Sequence, residues 1–306
     1  MNMKSLIIRA ASVVILIMTS AFSGFAQTRS IKHDFSPFDA IEASDGFKVS
    51  TSASDNYGVK LTVDDALESY VECYVRSGVL HIGLDDKNIP KDIRRQYKGR
   101  NSGDPTLVAI VYMPTLKSLA LNDDSEFINS SNLSGDNFNL TMSGDSRIND
   151  LKIVARTVSL NLSKNAKLSN ANVTTEGDLT VITDGKSVVT LNCAAENLAL
   201  SAAGSSEINL TGNIENKVTA TIASSSKTTL TGTAETLSIS GKGVSSKVDA
   251  SAFKVSDSTL SISGTDVKVS ASNSIELDLG KGAEVSYSGD PTVKIIKIQN
   301  ASVLRP

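Results

Sequence analysis

A segment of close to twenty residues recurs through the second half of this chain, and nothing else in the sequence restricts the fold as much. The copies begin at Phe138 (FNLTMSGDSRI), Val158 (VSLNLSKNAKL), Leu179 (LTVITDGKSVV), Leu198 (LALSAAGSSEI), Val218 (VTATIASSSKT) and Leu237 (LSISGKGVSSKV). The steps between them are 20, 21, 19, 20 and 19 residues. A period near 20 is the signature of a stacked solenoid, in which each repeat is one coil and buries its apolar side only against its neighbours.

Each copy opens with strict alternation. Phe138, Leu140 and Met142 are apolar, whereas Asn139, Thr141 and Ser143 are polar. Period two means a strand with one buried face. A turn follows, as in Ser143-Gly144-Asp145-Ser146, Asp184-Gly185-Lys186-Ser187 and Ala203-Gly204-Ser205-Ser206. A second short apolar strand comes next, such as Val189–Leu191 or Ile208–Leu210, and a second turn closes the coil. No stretch carries the i, i+3, i+4 spacing of an amphipathic helix. No proline lies between Pro114 and Pro291, which suits strands that are hydrogen-bonded on both edges.

The expected fold is therefore all-β: a right-handed parallel β-helix with coils of about 20 residues and an N-terminal β-rich cap. Right-handedness follows from the near-universal hand of parallel crossovers. At a strand spacing of roughly 4.8 Å, eight or nine coils make a rod on the order of 40 Å long. Leu140, Leu160, Val181, Leu200 and Ala220 are expected to form one buried ladder, with Phe127 and Phe138 in the core. An antiparallel sandwich also shows alternation and frequent turns. It gives no reason for the same turn to recur in phase at every second strand. Past Leu237 the phase weakens, and the sequence suggests a bulged loop over 249–257 followed by a shortened coil.

Three regions emerge. Residues 1–26 read as a secretory signal: Lys4 and Arg9 precede the apolar run Ala10–Met18, and small residues lead to Ala26. Cleavage there leaves 280 residues beginning at Gln27 with a formal net charge of −5, against −3 for the whole chain. No later segment is apolar enough for a spanning helix. Residues 27–115 form the cap region. It holds strands at Gly46–Ser50, Val59–Val63 and Leu107–Met113, the last apolar enough to be buried on both faces. Asp64 is placed to cap one or two helical turns. A hairpin is expected from Val71–Val75 and Val79–Leu84 through Arg76-Ser77-Gly78. Residues 87–105 are a polar insertion into the cap, with Lys87, Lys91, Arg94, Arg95, Lys98, Arg100 and Tyr97. It reads as a solvated loop, or else as an anion- or glycan-binding one. Residues 116–306 form the solenoid.

The opening FDAIEASDGFKV onward through GVLHIGL, the strand and turn LVAIVYMPTLKSLALNDDSEF, and the SGDS, DGKS and AGSS corners resemble the auto-transporter adhesin family with the head GIN domain. The resemblance covers roughly residues 35–290. It implies a right-handed parallel β-helix, export in a Gram-negative bacterium and a role in cell adhesion. It supplies no catalytic residues to carry over. The chain departs from the Gly-rich corner pattern at Lys164-Asn165-Ala166 and Ser224-Ser225-Ser226.

The residues themselves offer little catalytic chemistry. The densest acidic cluster is Asp123, Asp124, Glu126, Asp136, Asp145 and Asp150, with Arg147 among them. Asp124 and Asp145 fall at equivalent corner positions one coil apart, a pairing suited at most to weak cation binding. The next coils carry Asn165, Lys186 and Ser205 there, so the acidic ladder ends after two steps. Asp also favours such corners through Asx hydrogen bonds alone. The histidines, His33 and His81, both precede the repeats, so no serine of the repeats has a histidine at hand in sequence to activate it. Cys73 and Cys193 are flanked by apolar residues and read as buried thiols rather than as a disulfide or half of a metal site. The chain has no tryptophan, and from 116 to 294 its aromatics are Phe127, Phe138, Phe253 and Tyr287.

The expectation is an exported, non-catalytic binding or adhesion module at the cell surface or in the periplasm. No catalytic, cofactor or metal residues are assigned to it. A cell-surface glycan, a protein or a second copy of the chain is the expected partner, and a mildly acidic surface argues against nucleic acid. The alternative is a carbohydrate-active β-helix enzyme, either lyase or hydrolase. That reading requires the acidic cluster and the basic insertion to converge in one groove.

Overall fold

The structure, a computed structural model, describes residues 28–97, 103–128, 132–299 and 302–306. The signal segment 1–26 and the insertion residues Lys98 and Arg100 lie outside them. The described chain is a β-solenoid of about nine turns in which parallel pairing dominates. The strands run β1 (Thr28–Asp34), β2 (Ala40–Ala43), β3 (Lys48–Ala53), β4 (Gly58–Asp64), β5 (Val71–Arg76), β6 (Val79–Leu84), β7 (Leu107–Met113), β8 (Ser118–Leu121) and β9 (Glu126–Phe127). They continue through β10 (Leu133–Met142), β11 (Arg147–Ile148), β12 (Leu151–Leu162), β13 (Lys167–Thr175), β14 (Asp178–Thr183), β15 (Val188–Ala202), β16 (Glu207–Ala223) and β17 (Lys227–Thr233). β18 (Thr236–Leu279), β19 (Glu284–Ser288), β20 (Thr292–Ile298) and β21 (Val303–Arg305) complete the rod.

Each coil has three walls, and inward-facing apolar residues stack in ladders along each of them. On the first wall Leu119, Leu140, Leu160, Val181, Leu200, Ala220 and Ile239 stand in register from coil to coil, and all are buried. This is the ladder the alternation predicted. The second wall stacks Phe127, Ile148, Leu168, Val189, Ile208, Thr228 and Val248. The third stacks Ile153, Val173, Cys193, Gly212, Gly232 and Phe253. Its two glycines are forced by crowding: a Cβ on Gly232 would lie 1.8 Å from the Gly212 carbonyl oxygen. The fully buried ring of Phe253 sits in register directly above them.

The corner between the first two walls explains the recurring SG, DG and AG turns. One residue per corner is left-handed: Gly144, Gly185 and Gly204 have φ of 79°, 70° and 68°. Lys164 and Ser224, where glycine is replaced, adopt the same conformation at 61° and 63°. Two residues on, a small side chain turns inward. Ser125, Ser146, Ser187, Ser206 and Ser226 are buried there. At Ser187 the hydroxyl is used: its Oγ donates to the Asp184 carbonyl at 2.8 Å and to the Leu162 carbonyl at 3.3 Å, whereas the buried Ser125 and Ser146 hydroxyls have no partner among the described residues. The Ser187 hydroxyl thus satisfies polar groups that the corner takes away from water.

The N-terminal region builds coils of its own. β2 pairs in parallel with both β6 and β8, and β3 with both β7 and β9. The stacking order in space is thus β6–β7, then β2–β3, then β8–β9. Parallel pairing continues across residue 115 without a break. Antiparallel strands close this end, with β5 on β6, β4 on β7 and β1 on β4. The expected hairpin is present, with Ser77 and Gly78 at φ 52° and 78°. β7 is not buried on both faces. Its outward residues Val108, Ile110 and Tyr112 are only half-buried, because neighbouring strands flank its edges and leave its outer face partly open. Asp64 precedes a 3-10 helix over Asp65–Tyr70 but makes no side-chain cap; its carboxylate instead accepts the Thr106 N–H at 3.2 Å.

Two further expectations change. Residues 249–257 are strand rather than loop, and the irregularity is a bulge in the pairing between Thr229↔Asp249 and Thr231↔Ala252. The shortening extends over the last coils: Asp266 pairs with Glu284 and Ser274 with Thr292, 18 residues on, and a bulge after Leu277 changes the step to 19. At the C-terminal end β20 and β21 are paired on one edge only among the described residues, and Ile295, Ile296 and Ile298 are exposed.

Candidate functional site

The acidic cluster lies where the first coils stack, and only part of it converges. Register places Lys48, Glu126 and Arg147 side by side at the start of the second wall in three successive coils. Beside them is a surface hollow of about 390 Å³ lined by Asp45, Gly46, Lys48, Asp104, Pro105, Asp124, Glu126 and Arg147. Asp104 and Pro105 arrive from the end of the insertion, just before the chain enters β7. Four carboxylates therefore face two cations in one concavity. Arg147 pairs with Glu126, which puts the Asp145 corner one coil from the Asp124 corner, but neither Asp145 nor Asp123, Asp136 or Asp150 lines the hollow.

The hydrogen bonds separate structural from available groups. The Asp45 carboxylate is committed: its Oδ2 accepts the Ser44 hydroxyl at 2.6 Å and the Leu84 N–H at 2.9 Å, tying the β2–β3 corner to the coil below. Glu126 accepts only a long bond from Asn149 Nδ2 at 3.4 Å. Among the described residues no ion pair within 4 Å ties Lys48 or Arg147 to a carboxylate. Asp104, Asp124, Glu126, Lys48 and Arg147 thus present unpaired charges of both signs to an open hollow. Such a surface suits a polar ligand with its own donors and acceptors. Among the described residues no three His, Cys, Asp or Glu side chains come together as a metal would require.

The insertion is built differently from a solvated loop. Lys91–Gln96 form a short α-helix, α1. Arg94 folds back on the segment before it: Nε donates to the Ile89 carbonyl at 2.9 Å, and the guanidinium meets the Asp86 carbonyl and carboxylate. Tyr97 is an anchor and not a free platform. Burial, then the charge and hydrogen bond of the buried Asp64, hold its phenol above the ordinary value. The insertion's basic residues within the described chain do not line the hollow.

The thiols are inert. Cys73 and Cys193 are unpaired, and burial pushes both up to about 12. The histidines sit at the N-terminal end. His33 lies 5.8 Å from the Phe35 ring, and His81 Nδ1 is 3.1 Å from Glu42 Oε2. Tyr74, 45% exposed, stacks on His81 with ring centroids 5.0 Å apart. The sequence carried a signal for this pairing that periodicity could not reveal: the two-residue Ser77-Gly78 loop fixes Tyr74 opposite His81.

The family model described as "Putative auto-transporter adhesin, head GIN domain" matches residues 37–185 and again 154–291. No curated protein matches. Among solved structures, a "putative adhesin" from Parabacteroides distasonis is 18% identical, covering 92% of this chain and 98% of that one at a TM-score of 0.46. A "putative lipid binding protein" from the same organism is 18% identical over 92% and 95% of the two chains, with a TM-score of 0.43. A "putative adhesin" from Parabacteroides merdae is 18% identical over 92% and 98%, with a TM-score of 0.41.

Proposed function

Because the chain belongs to the head GIN domain family of auto-transporter adhesins, we propose that it is an exported, non-catalytic binding module acting at the cell surface or in the periplasm of a Gram-negative bacterium. One observation carries the reading: exposed polar side chains on the outside of the rod bond from one coil to the next at several places. Asn192 Nδ2 reaches Asn172 Oδ1 at 3.3 Å, Asn197 reaches Asp178 at 3.0 Å, Asn216 reaches Glu196 at 3.2 Å, and Thr233 reaches Asn213 at 3.2 Å. Each pair spans one coil, so exposed donors and acceptors are distributed along the outside of the rod. A surface of this kind favours many weak contacts with an extended partner over one deep pocket. No helix among the described residues is long and apolar enough to cross a membrane.

The partner is a cell-surface glycan or protein, or a second copy of the chain. The hollow at Asp124, Glu126 and Arg147 is the one feature that favours the carbohydrate-active enzyme instead, because it gathers carboxylates with a basic group. The reading is tested by labelling the purified protein and measuring its retention on bacterial envelopes, on epithelial cells and on extracellular-matrix proteins. Saturable retention on at least one surface is expected. Absence of retention on all of them would refute the module.

A further inference from the structure

We propose that the outer face of β5, β6 and β2 is a saccharide-binding platform centred on Tyr74, a ligand class that rests on the binding-module reading. β5 is an edge strand, paired only with β6 among the described residues. The Tyr74 ring points outward from it and stacks on His81 at 5.0 Å with an interplanar angle of 22°. His81 covers one face of the ring. The other face is turned toward the open edge of the sheet, and the residue remains 45% exposed. A flat aromatic face of this kind carries the negative side of its quadrupole and attracts the C–H groups of a pyranose ring.

The polar groups around the ring complete the site. Register runs Tyr74↔His81↔Glu42↔Ala120, so three functional side chains lie in one row across successive strands. Glu42 Oε1 accepts from Asn122 Nδ2 at 3.3 Å, and its Oε2 lies 3.1 Å from His81 Nδ1. Each carboxylate oxygen keeps acceptor capacity for a sugar hydroxyl. Glu72 and Arg76 flank Tyr74 on the same face of β5 and are exposed. Arg76 has no ion pair among the described residues, so its five donors are available. The row thus offers a stacking face, a donor fork and the carboxylate acceptors of Glu42 and Glu72, which is what a ring carrying apolar C–H faces and equatorial hydroxyls needs. The shape is shallow, so the ligand is a chain lying across the face and not a monosaccharide held in a cavity.

The chain has only two histidines, which makes the platform directly observable. Purified protein labelled at histidine is titrated by ¹H–¹³C NMR with maltotetraose, cellotetraose and chitotetraose to millimolar concentration. At least one tetrasaccharide should shift the His81 ring signals and leave those of His33 in place. Tyr74→Ala should weaken that binding at least about tenfold, and Tyr74→Phe should retain it, since the ring and not the hydroxyl does the stacking. Thermal melts of both variants should match wild type, because the residue is exposed. No movement of His81 with any of the three sugars, or equal affinity in Tyr74→Ala, would overturn the assignment. Retention on cells that Tyr74→Ala leaves unchanged would overturn it too, while the module stands. If the wild-type protein binds no surface yet its His81 shifts with sugar, the platform stands and the adhesion reading fails.

Discussion

Two neighbouring corners of the rod should respond to glycine and alanine with opposite signs. Lys164 and Gly185 occupy the same left-handed corner position one coil apart, at φ 61° and 70°. Lys164 strains its backbone by about 1–2 kcal/mol for being a side-chain-bearing residue in that region. Lys164→Gly removes the strain and adds about 0.4–1 kcal/mol of unfolded-chain entropy to lose. The net expectation is a gain of about 0.5–1 kcal/mol. Gly185→Ala acquires the same strain and adds a collision. Its Cβ would lie 2.7 Å from the Lys164 carbonyl oxygen and 2.8 Å from its Cα, backbone atoms that cannot rotate away.

The corner hydrogen bonds show what must give. Where the corner residue is glycine, the next residue's N–H reaches the coil below at 2.5 Å (Lys186 to Lys164) and 2.6 Å (Ser205 to Gly185). Where it is Lys164 or Ser224, the equivalent bonds are 3.0 and 2.9 Å. Alanine at 185 therefore has to lift its corner by several tenths of an ångström, and a cost of about 2–3 kcal/mol follows when strain and a weakened bond are combined. Urea titrations followed by circular dichroism, with the slope held common, order the three proteins. Lys164→Gly should unfold at higher urea than wild type and Gly185→Ala at lower. Shifts of the same sign, or a neutral Gly185→Ala, would refute the corner argument.

The interior ladder predicts that Leu160→Ala, fully buried between Leu140 and Val181, costs about 2–5 kcal/mol in the same titration. Leu160→Asp should yield no folded protein, judged by proteolysis of freshly expressed chain. Burial raises the Cys73 and Cys193 thiols from 9.0 to about 12, so in that range the folded chain holds protons that the unfolded chain releases. Their contribution to stability should be complete below about pH 9 and vanish as pH rises toward 12, a loss that Cys73→Ala with Cys193→Ala should blunt in alkaline melts. The signal reading predicts Gln27 as the first residue of protein recovered from the native envelope, read by mass spectrometry; an intact Met1 in the membrane fraction would contradict it.

Local repetition made the solenoid legible. The alternation at Leu140, Leu160 and Val181 reports both the wall and its register, because consecutive coils are also neighbours in space. That link fails at the N-terminal end. There β2–β3 stack between β6–β7 and β8–β9, and no sequence period records a coil inserted out of order. The bulge near Ala252 reads as a loop in the sequence because one unpaired residue shifts the phase of everything after it. α1 is six residues long, too short to display a helical period. The hollow was half legible: Asp124, Glu126 and Arg147 are close in sequence, whereas Asp104 reaches them only through the fold. Tyr74 and His81 sit on an outer face, where burial imposes no pattern; only the length of their hairpin loop linked them.

The central claim is that this rod binds without turning its ligand over. It is tested most directly by incubating the purified protein with acidic and neutral polysaccharides, with and without Ca²⁺, and following new reducing ends and the absorbance of unsaturated uronates. The account predicts neither signal on any substrate, from a protein that still saturates a cell or glycan surface. Reproducible product that is lost in Glu126→Gln would contradict it and make the hollow an active site.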